Sequence, residues 1–183
     1  MQVISGKYRA RKLVSPDSAR PTLQRIKIST FSLIQEFVKE DIEVLDLFAG
    51  SGALGIECLS RGAKFVDFIE LDKKACECIK KNLRETDSSF YSILNTDYKD
   101  ALNRLVKDEK AYDIIFVDPP YEKGFYVPAI EIIERYNLVK SGGIIVVESL
   151  KNKPINFQLA NFEVYKSRDY GITNITILKR IDV

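Results

Sequence analysis

The stretch DLFAGSGALG, residues 46–55, contains three glycines in the spacing G-x-G-x-x-G. The apolar residues 44–48 predict a short strand buried on both faces, and residues 53–61 predict a helix that ends at Gly62. A strand, a glycine turn and a helix in this order are typical of a loop that holds a nucleotide-like ligand at a helix N-terminus. Gly50 and Gly52 would let the turn, residues 48–52 (the glycine loop), approach that ligand closely.

Strands and helices alternate on both sides of this stretch. Short apolar runs predict further strands over residues 65–71, 91–94, 112–117 and 144–148. Apolar residues at helical spacing predict helices over residues 22–39, 73–85, 101–107 and 128–136, and the face of the first helix places Ile28 in the core. Residues 162–167 and 174–179 alternate with period two around Tyr170 and Gly171, which predicts an antiparallel hairpin. Five alternating strands and a hairpin indicate a Rossmann-like α/β fold with a mostly parallel, seven-stranded sheet.

The composition excludes several kinds of catalytic site. The 183 residues include no histidine, so the chain contains no Ser-His-Asp triad, His-liganded zinc or histidine general base. Its three cysteines lack the spacing of a metal site, and no apolar run approaches the roughly 20 residues of a membrane span. We therefore expect a single cytoplasmic domain without metal, whose chemistry depends on a bound cofactor, carboxylates and backbone groups.

Positive charge is concentrated at the N-terminus. Residues 1–27 carry seven basic side chains and one acidic one, whereas the rest of the chain carries 21 basic and 25 acidic side chains. Such a segment favours a polyanionic partner, most simply a nucleic acid, although a solvated arm without a partner has the same composition. We divide the chain into a basic arm over residues 1–21 and a catalytic core over residues 22–183.

Three carboxylates lie where predicted strands end near the glycine loop. Asp46 would oppose the phosphates of a dinucleotide and would favour the ammonium group of S-adenosylmethionine; NAD, FAD and a purely structural turn are the alternatives. Glu70 is placed to accept both ribose hydroxyls, and the competing Asp72 is placed to cap a helix. Asp97 is placed to accept from the adenine amino group or to act as a loop or capping carboxylate. The expected cofactor contacts are thus Asp46, Phe48, Gly50, Gly52, Glu70 and Asp97.

The tetrapeptide at residues 118–121, the diproline turn, ends the fourth predicted strand. Methylation of an exocyclic amine on a planar base is difficult because the nitrogen lone pair is delocalised into the ring. Asp118 and the carbonyl of Pro119 could accept both N–H groups and aim the lone pair at a methyl donor. Pro119 and Pro120 would hold that carbonyl in place before the substrate arrives, and Tyr121 offers a flat surface for a base.

These motifs resemble those of amino-group nucleic-acid methyltransferases of class I. Three further pieces are similar to the RsmD family of bacterial enzymes, which methylate N2 of one guanine in 16S ribosomal RNA. They are the start ISGKYRARKL at residues 4–13, the residues Arg20, Pro21 and Thr22 with Arg25 and Phe31, and Tyr170-Gly171 before the last strand. The resemblance extends over essentially the whole chain.

The resemblance implies Gly50, Gly52, Glu70 and Asp97 as cofactor contacts and the diproline turn as the catalytic loop. It also implies small-subunit ribosomal RNA, already assembled with ribosomal proteins, as substrate. The basic arm would then contact phosphates, and a monomer is expected. A DNA adenine-N6 methyltransferase and a non-catalytic RNA-binding assembly factor are the alternatives. The expected RNA contacts are Lys7, Arg9, Arg11, Lys12 and Arg20, of which Arg20 is also placed to line the cofactor path.

Overall fold

A seven-stranded sheet organises the computed structural model, which describes residues 1–16, 24–120, 123–153, 155–156 and 158–181. The strands, in chain order, are β1 (Glu43–Leu47), β2 (Phe65–Glu70), β3 (Tyr91–Asn95), β4 (Tyr112–Val117), β5 (Val139–Leu150), β6 (Phe162–Tyr170) and β7 (Thr173–Arg180). Their order across the sheet is β3-β2-β1-β4-β5-β7-β6. The first five strands are parallel, and β7 pairs antiparallel with β5 and β6. The predicted Rossmann-like fold with a closing hairpin is confirmed.

Helices cover both faces of this sheet. They are α1 (Gln24–Leu33), α2 (Ala53–Ser60), α3 (Lys73–Leu83), α4 (Tyr98–Lys107) and α5 (Tyr126–Arg135). Two clusters of buried apolar side chains result, one under α1, α2 and α3 and the other under α4 and α5. Because the parallel strands are covered on both sides, they consist of nearly continuous apolar runs. None of the described helices is long and apolar enough to cross a membrane.

Helix α1 is shorter than its sequence pattern predicts. Apolar spacing extends to residue 39, but the α-helix ends at Leu33 and the chain tightens into a turn in which the Phe37 amide donates to the Ile34 carbonyl over 2.9 Å. The ring of Phe37 then packs edge-on against Tyr165 of β6. The pattern also places Ile28 in the core, which is wrong. Ile28 lies on the outer side of the helix and is 48% exposed.

Strand β5 begins earlier than predicted. Val139 pairs with Tyr112, and after an irregular stretch containing Gly142 and Gly143 the regular pairing resumes at Ile144. A side chain at Gly143 would place its Cβ 2.8 Å from the Asp113 carbonyl oxygen. The glycine pair therefore lies inside the strand, at a bulge against β4, and not before it.

The N-terminal segment, residues 1–14, is packed against the core. A single bridge pairs Gln2 with Lys12, and the Ala10 amide donates to the Val3 carbonyl over 3.0 Å. Val3 and Leu13 are both buried. The segment is therefore a folded loop on the α1 and α2 side of the sheet, with its basic side chains carried on an ordered backbone.

Candidate functional site

The carboxyl ends of β1, β2 and β4 meet at one edge of the sheet. Leu47 of β1 pairs with Ile69 of β2 on one side and with Val117 of β4 on the other. The glycine loop, the β2–α3 turn and the diproline turn therefore leave the sheet at the same level. In open α/β sheets this edge is where ligands bind.

The glycine loop turns through left-handed backbone conformations. Gly50 and Gly52 have φ angles of 56° and 74°, and Phe48 has a φ of 71° without being glycine. The Gly52 amide closes the turn by donating to the Ala49 carbonyl over 2.7 Å. The third glycine has a packing role, because a Cβ on Gly55 would lie 2.3 Å from the ring of Phe68. It lets α2 pack closely on β2.

Glu70 ties the glycine loop to the end of β2. One of its carboxylate oxygens accepts from the Gly50 amide over 2.7 Å, and the other accepts from the Asp72 amide over 2.8 Å. The side-chain amide of Asn95 supports the same turn by donating to the carbonyls of Glu70 and Leu71. Because a carboxylate has about four lone-pair directions, Glu70 can keep these amides and still accept hydroxyl groups from a sugar.

Asp46 lies beneath the glycine loop, inside the protein. It is 3% exposed, and its carboxylate accepts from the Gly55 amide over 3.0 Å. Burial raises the pKa of Asp46 to about 7, the hydrogen bond from Gly55 opposes this shift, and the negative charge of Glu70 adds to it. A cation brought to this carboxylate would favour its ionised form.

Asp97 and Asp72 both cap helices. Asp97 precedes α4 and accepts from the Lys99 amide over 2.9 Å, and Asp72 precedes α3 and accepts from the Lys74 amide over 2.8 Å. The capping role that the sequence suggests for Asp72 is therefore present, and the capping alternative for Asp97 is present as well. Asp97 is half-buried at the site edge of the sheet, where its adenine contact stays a prediction.

The diproline turn begins directly after Val117, the last residue of β4. Asp118 is half-buried, Pro119 is buried and Pro120 is exposed. The hydroxyl of Tyr126, at the start of α5, donates to the Pro119 carbonyl over 3.4 Å. Sequence reasoning missed Tyr126, whose only signal was its place at the beginning of a predicted helix. Tyr121 lies outside the described residues.

Three aromatic rings join the loops around the site. The ring of Phe48 lies 5.2 Å from that of Tyr98 at the start of α4, and Tyr98 lies 5.1 Å from Phe125 just before α5. The Tyr98 hydroxyl is buried without a hydrogen-bond partner in the described part of the chain. Burial, followed by the charge of Asp97, raises the pKa of Tyr98. The cluster gives Phe48 a supporting contact that its sequence motif did not reveal.

The predicted RNA contacts differ in how exposed their side chains are. Lys7, Arg9 and Lys12 are exposed on the N-terminal segment. Arg11 is half-buried, stacks 4.1 Å from the ring centroid of Tyr8 and lies 3.5 Å from the Glu85 carboxylate. Arg20 and Thr22 lie outside the described residues.

Lys27, which the charge count includes in the basic region, is unavailable to a partner. Its side chain is fully buried and paired with the buried Glu57 at 3.2 Å. Within the described ranges, no group of three or more His, Cys, Asp and Glu side chains is arranged to hold a metal ion.

Known proteins are similar to this chain over nearly its whole length. A family model described as "Conserved hypothetical protein 95" matches residues 1–179. The chain is 34% identical to the "Putative rRNA methyltransferase YlbH" of Bacillus subtilis, over 98% of this chain and 99% of that protein. It is 32% identical to the "Ribosomal RNA small subunit methyltransferase D" of Escherichia coli, over 93% of this chain and 85% of that protein.

A solved structure has the same architecture. The "Putative methyltransferase yhhF from Escherichia coli" matches with a TM-score of 0.85 and 31% identity, over 98% of this chain and 97% of that one. The match therefore extends over nearly the whole length of both chains. The chain therefore belongs to the RsmD family of methyltransferases, whose family model is described as Conserved hypothetical protein 95.

Proposed function

We propose that the protein transfers a methyl group from S-adenosylmethionine to the exocyclic N2 amine of one guanine, guanine 966, in 16S ribosomal RNA. Relatives named as ribosomal RNA small subunit methyltransferases support the reaction and the class of substrate. The proposal places the enzyme in the cytoplasm, as a monomer that needs no metal and acts on RNA assembled into the small ribosomal subunit.

The observation that carries the proposal is the pairing of Leu47 with Val117. Neighbouring strands lie about 4.8 Å apart, so the glycine loop after Leu47 and the diproline turn after Val117 begin side by side. A cofactor held by the first loop and an amine held by the second would be close enough for direct transfer.

The groups at this edge support the cofactor contacts that we propose. The Glu70 carboxylate would accept the ribose hydroxyls, Asp46 would attract the ammonium group from beneath the glycine loop, and Asp97 would accept from the adenine amino group. The backbone of Gly50 and Gly52 lets the cofactor approach the loop. S-adenosylmethionine supplies a methyl group already activated by its sulfonium, so the protein needs to contribute orientation and electrostatics.

The diproline turn orients the amine. Asp118 and the Pro119 carbonyl accept its two N–H groups, which draws the nitrogen away from planarity and directs its lone pair at the methyl group. Tyr126 supports the Pro119 carbonyl, and Tyr121 stacks on the base. We propose in-line displacement, in which the new N–C bond forms as the methyl–sulfur bond breaks, S-adenosylhomocysteine leaves, and the methylated amine loses one proton to its acceptor Asp118 and then to water. No covalent enzyme intermediate is proposed, because no cysteine lies in a catalytic motif.

The RNA is held by the N-terminal segment, whose exposed basic side chains contact phosphates without reading sequence. Because phosphate contacts carry no sequence information, the choice of guanine in this scheme depends on the shape of the assembled subunit around the segment.

The test is methyl transfer from radiolabelled S-adenosylmethionine to small ribosomal subunits, to free 16S ribosomal RNA and to duplex DNA, followed by mapping of the modified base. We expect label on N2 of a guanine in the subunits. Asp118→Ala should abolish transfer and spare cofactor binding. Label on adenine in DNA would favour the DNA methyltransferase alternative, and RNA binding without transfer would favour an assembly factor.

A further inference from the structure

Glu57 of α2 is a fully buried carboxylate that holds four donors. It accepts from the backbone amides of Ile4 and Ser5 over 2.8 and 3.0 Å. It also contacts the side chains of Arg61 at 2.9 Å and Lys27 at 3.2 Å. Two of these four donors are main-chain groups of the N-terminal segment, more than 50 residues away in sequence. The carboxylate therefore joins that segment to both α1 and α2.

Ser60, one turn further along α2, continues the same attachment. Its hydroxyl accepts from the Tyr8 amide over 2.9 Å and donates to the Ser5 carbonyl, and its backbone carbonyl accepts from the Lys7 amide over 2.7 Å. Gly6 lies so close that an added Cβ would stand 1.8 Å from the Ser60 carbonyl oxygen. The backbone of residues 4–8 is thus pressed directly onto the helix.

Lys27 makes the attachment depend on Glu57. Its buried ammonium donates to the Gln2 carbonyl over 2.7 Å. The pKa of Lys27 lies below its usual value, because burial lowers it more than the neighbouring Glu57 raises it. Without the Glu57 carboxylate, the two amides and the ammonium would be left facing one another in the protein interior, which is strongly unfavourable.

The attachment leaves the basic side chains facing outwards. Lys7, Arg9 and Lys12 are exposed, although the backbone that carries them is bonded to α2. At its far end, the segment is held by Asn82 of α3, which exchanges hydrogen bonds with the backbone of Val14. A segment ordered before binding does not lose backbone freedom when it meets its partner.

We propose that Glu57 is a positioning residue for RNA, which holds the N-terminal segment on α2 so that Lys7, Arg9 and Lys12 meet phosphates in a preset arrangement. The inference rests on the proposed ribosomal RNA methyltransferase function and adds to it a buried group that touches neither cofactor nor RNA.

The test compares two variants that loosen the segment in different ways. Glu57→Gln replaces one acceptor oxygen with a donor group that faces other donors, and Gly6→Ala forces the segment off Ser60 without changing any charge. Binding of each variant to a 16S ribosomal RNA transcript is measured over a range of salt concentrations. Cofactor affinity is measured by calorimetry, and the folded fraction by circular dichroism.

We expect both variants to bind RNA at least about tenfold more weakly and to lose about two units from the slope of log affinity against log salt, because fewer phosphates are contacted together. Cofactor affinity should stay within about twofold. Partial unfolding lowers the amount of active protein but leaves the salt slope of the folded fraction unchanged. If Glu57→Gln does not fold, Gly6→Ala decides the outcome.

Two controls separate this inference from the proposed function. Glu77→Gln makes the same chemical change on an exposed carboxylate of α3 and should leave all measurements unchanged. The triple variant Lys7→Ala, Arg9→Ala and Lys12→Ala should reproduce the reduced slope. The inference would be overturned if the salt dependence of RNA binding had the wild-type slope in both Glu57→Gln and Gly6→Ala, or in the triple variant. Methyl transfer to RNA by the wild-type protein would not be affected by that result. Absence of that transfer would overturn the proposed function itself.

Discussion

The Gly50 amide donates to the Glu70 carboxylate over 2.7 Å, so that one side chain at the end of β2 holds the middle of the glycine loop. The second carboxylate oxygen of Glu70 holds the Asp72 amide at the start of the next turn. The glycine loop and the turn after β2 are therefore held by one side chain. This arrangement makes Glu70 a structural residue of the site, in addition to the ribose contact that we propose for it.

Replacing Glu70 with alanine should weaken S-adenosylmethionine binding by at least about tenfold, because charged hydrogen bonds contribute about 1.5–3 kcal/mol each. Calorimetric titration with the cofactor measures this loss. RNA binding should be unchanged, because the hydrogen bonds that the Glu70 carboxylate accepts come from the Gly50 and Asp72 amides and not from the N-terminal segment. An unaltered cofactor affinity would show that Glu70 does not contribute to cofactor binding.

Asp46 should make the protein less stable as the pH rises. Its pKa is about 7 in the folded protein and 3.8 in a model compound, so the folded state binds more protons between these values. The stability present below pH 3.8 is then lost progressively until about pH 7, by about 4 kcal/mol over the whole window. Urea unfolding of the wild type and Asp46→Asn from pH 4 to 8 tests this. As the pH rises from 4 to 8, the free energy of unfolding of the wild type should fall relative to that of Asp46→Asn. A difference between the two free energies that does not vary with pH would contradict the raised pKa of Asp46.

Tyr98→Phe should stabilise the protein, since it removes a buried hydroxyl for which the described residues offer no hydrogen-bond partner. The ring contacts with Phe48 and Phe125 would remain. We expect a gain of about 1 kcal/mol in the free energy of unfolding, measured by chemical denaturation. A loss of similar size would instead show that the hydroxyl is satisfied in solution, for example by a buried water molecule.

Asn82→Ala should weaken both cofactor and RNA binding, unlike the changes at Gly6 and Glu57. The Asn82 amide donates to the carbonyls of Val14 and Ser51, so one buried side chain joins the N-terminal segment to the glycine loop. Calorimetry with the cofactor and RNA binding at fixed salt give the two affinities. A variant that lost only RNA affinity would show that the contact with Ser51 does not help to hold the glycine loop.

Some expectations from the sequence depended on surroundings that a local pattern does not contain. Helical spacing extends the predicted α1 to residue 39 and places Ile28 in the core, but the packing of Phe37 on β6 favours a turn and Ile28 faces outwards. A charge count gives Lys27 the same value as Lys7, whereas one is buried beside Glu57 and the other is exposed.

The sequence by itself determined the order of strands and helices, the turn at Gly50 and Gly52 and the position of the diproline turn after a buried strand. These features depend on residues that are close together in the chain, because they arise from the spacing of apolar residues and from the backbone conformations that glycine and proline favour. Only the tertiary structure decided that Glu57 holds the N-terminal segment, that Asn82 joins it to the glycine loop and that Lys27 is withdrawn from the surface. Such contacts join residues 25 or more positions apart, and their energies depend on burial, which exists only once the chain has folded.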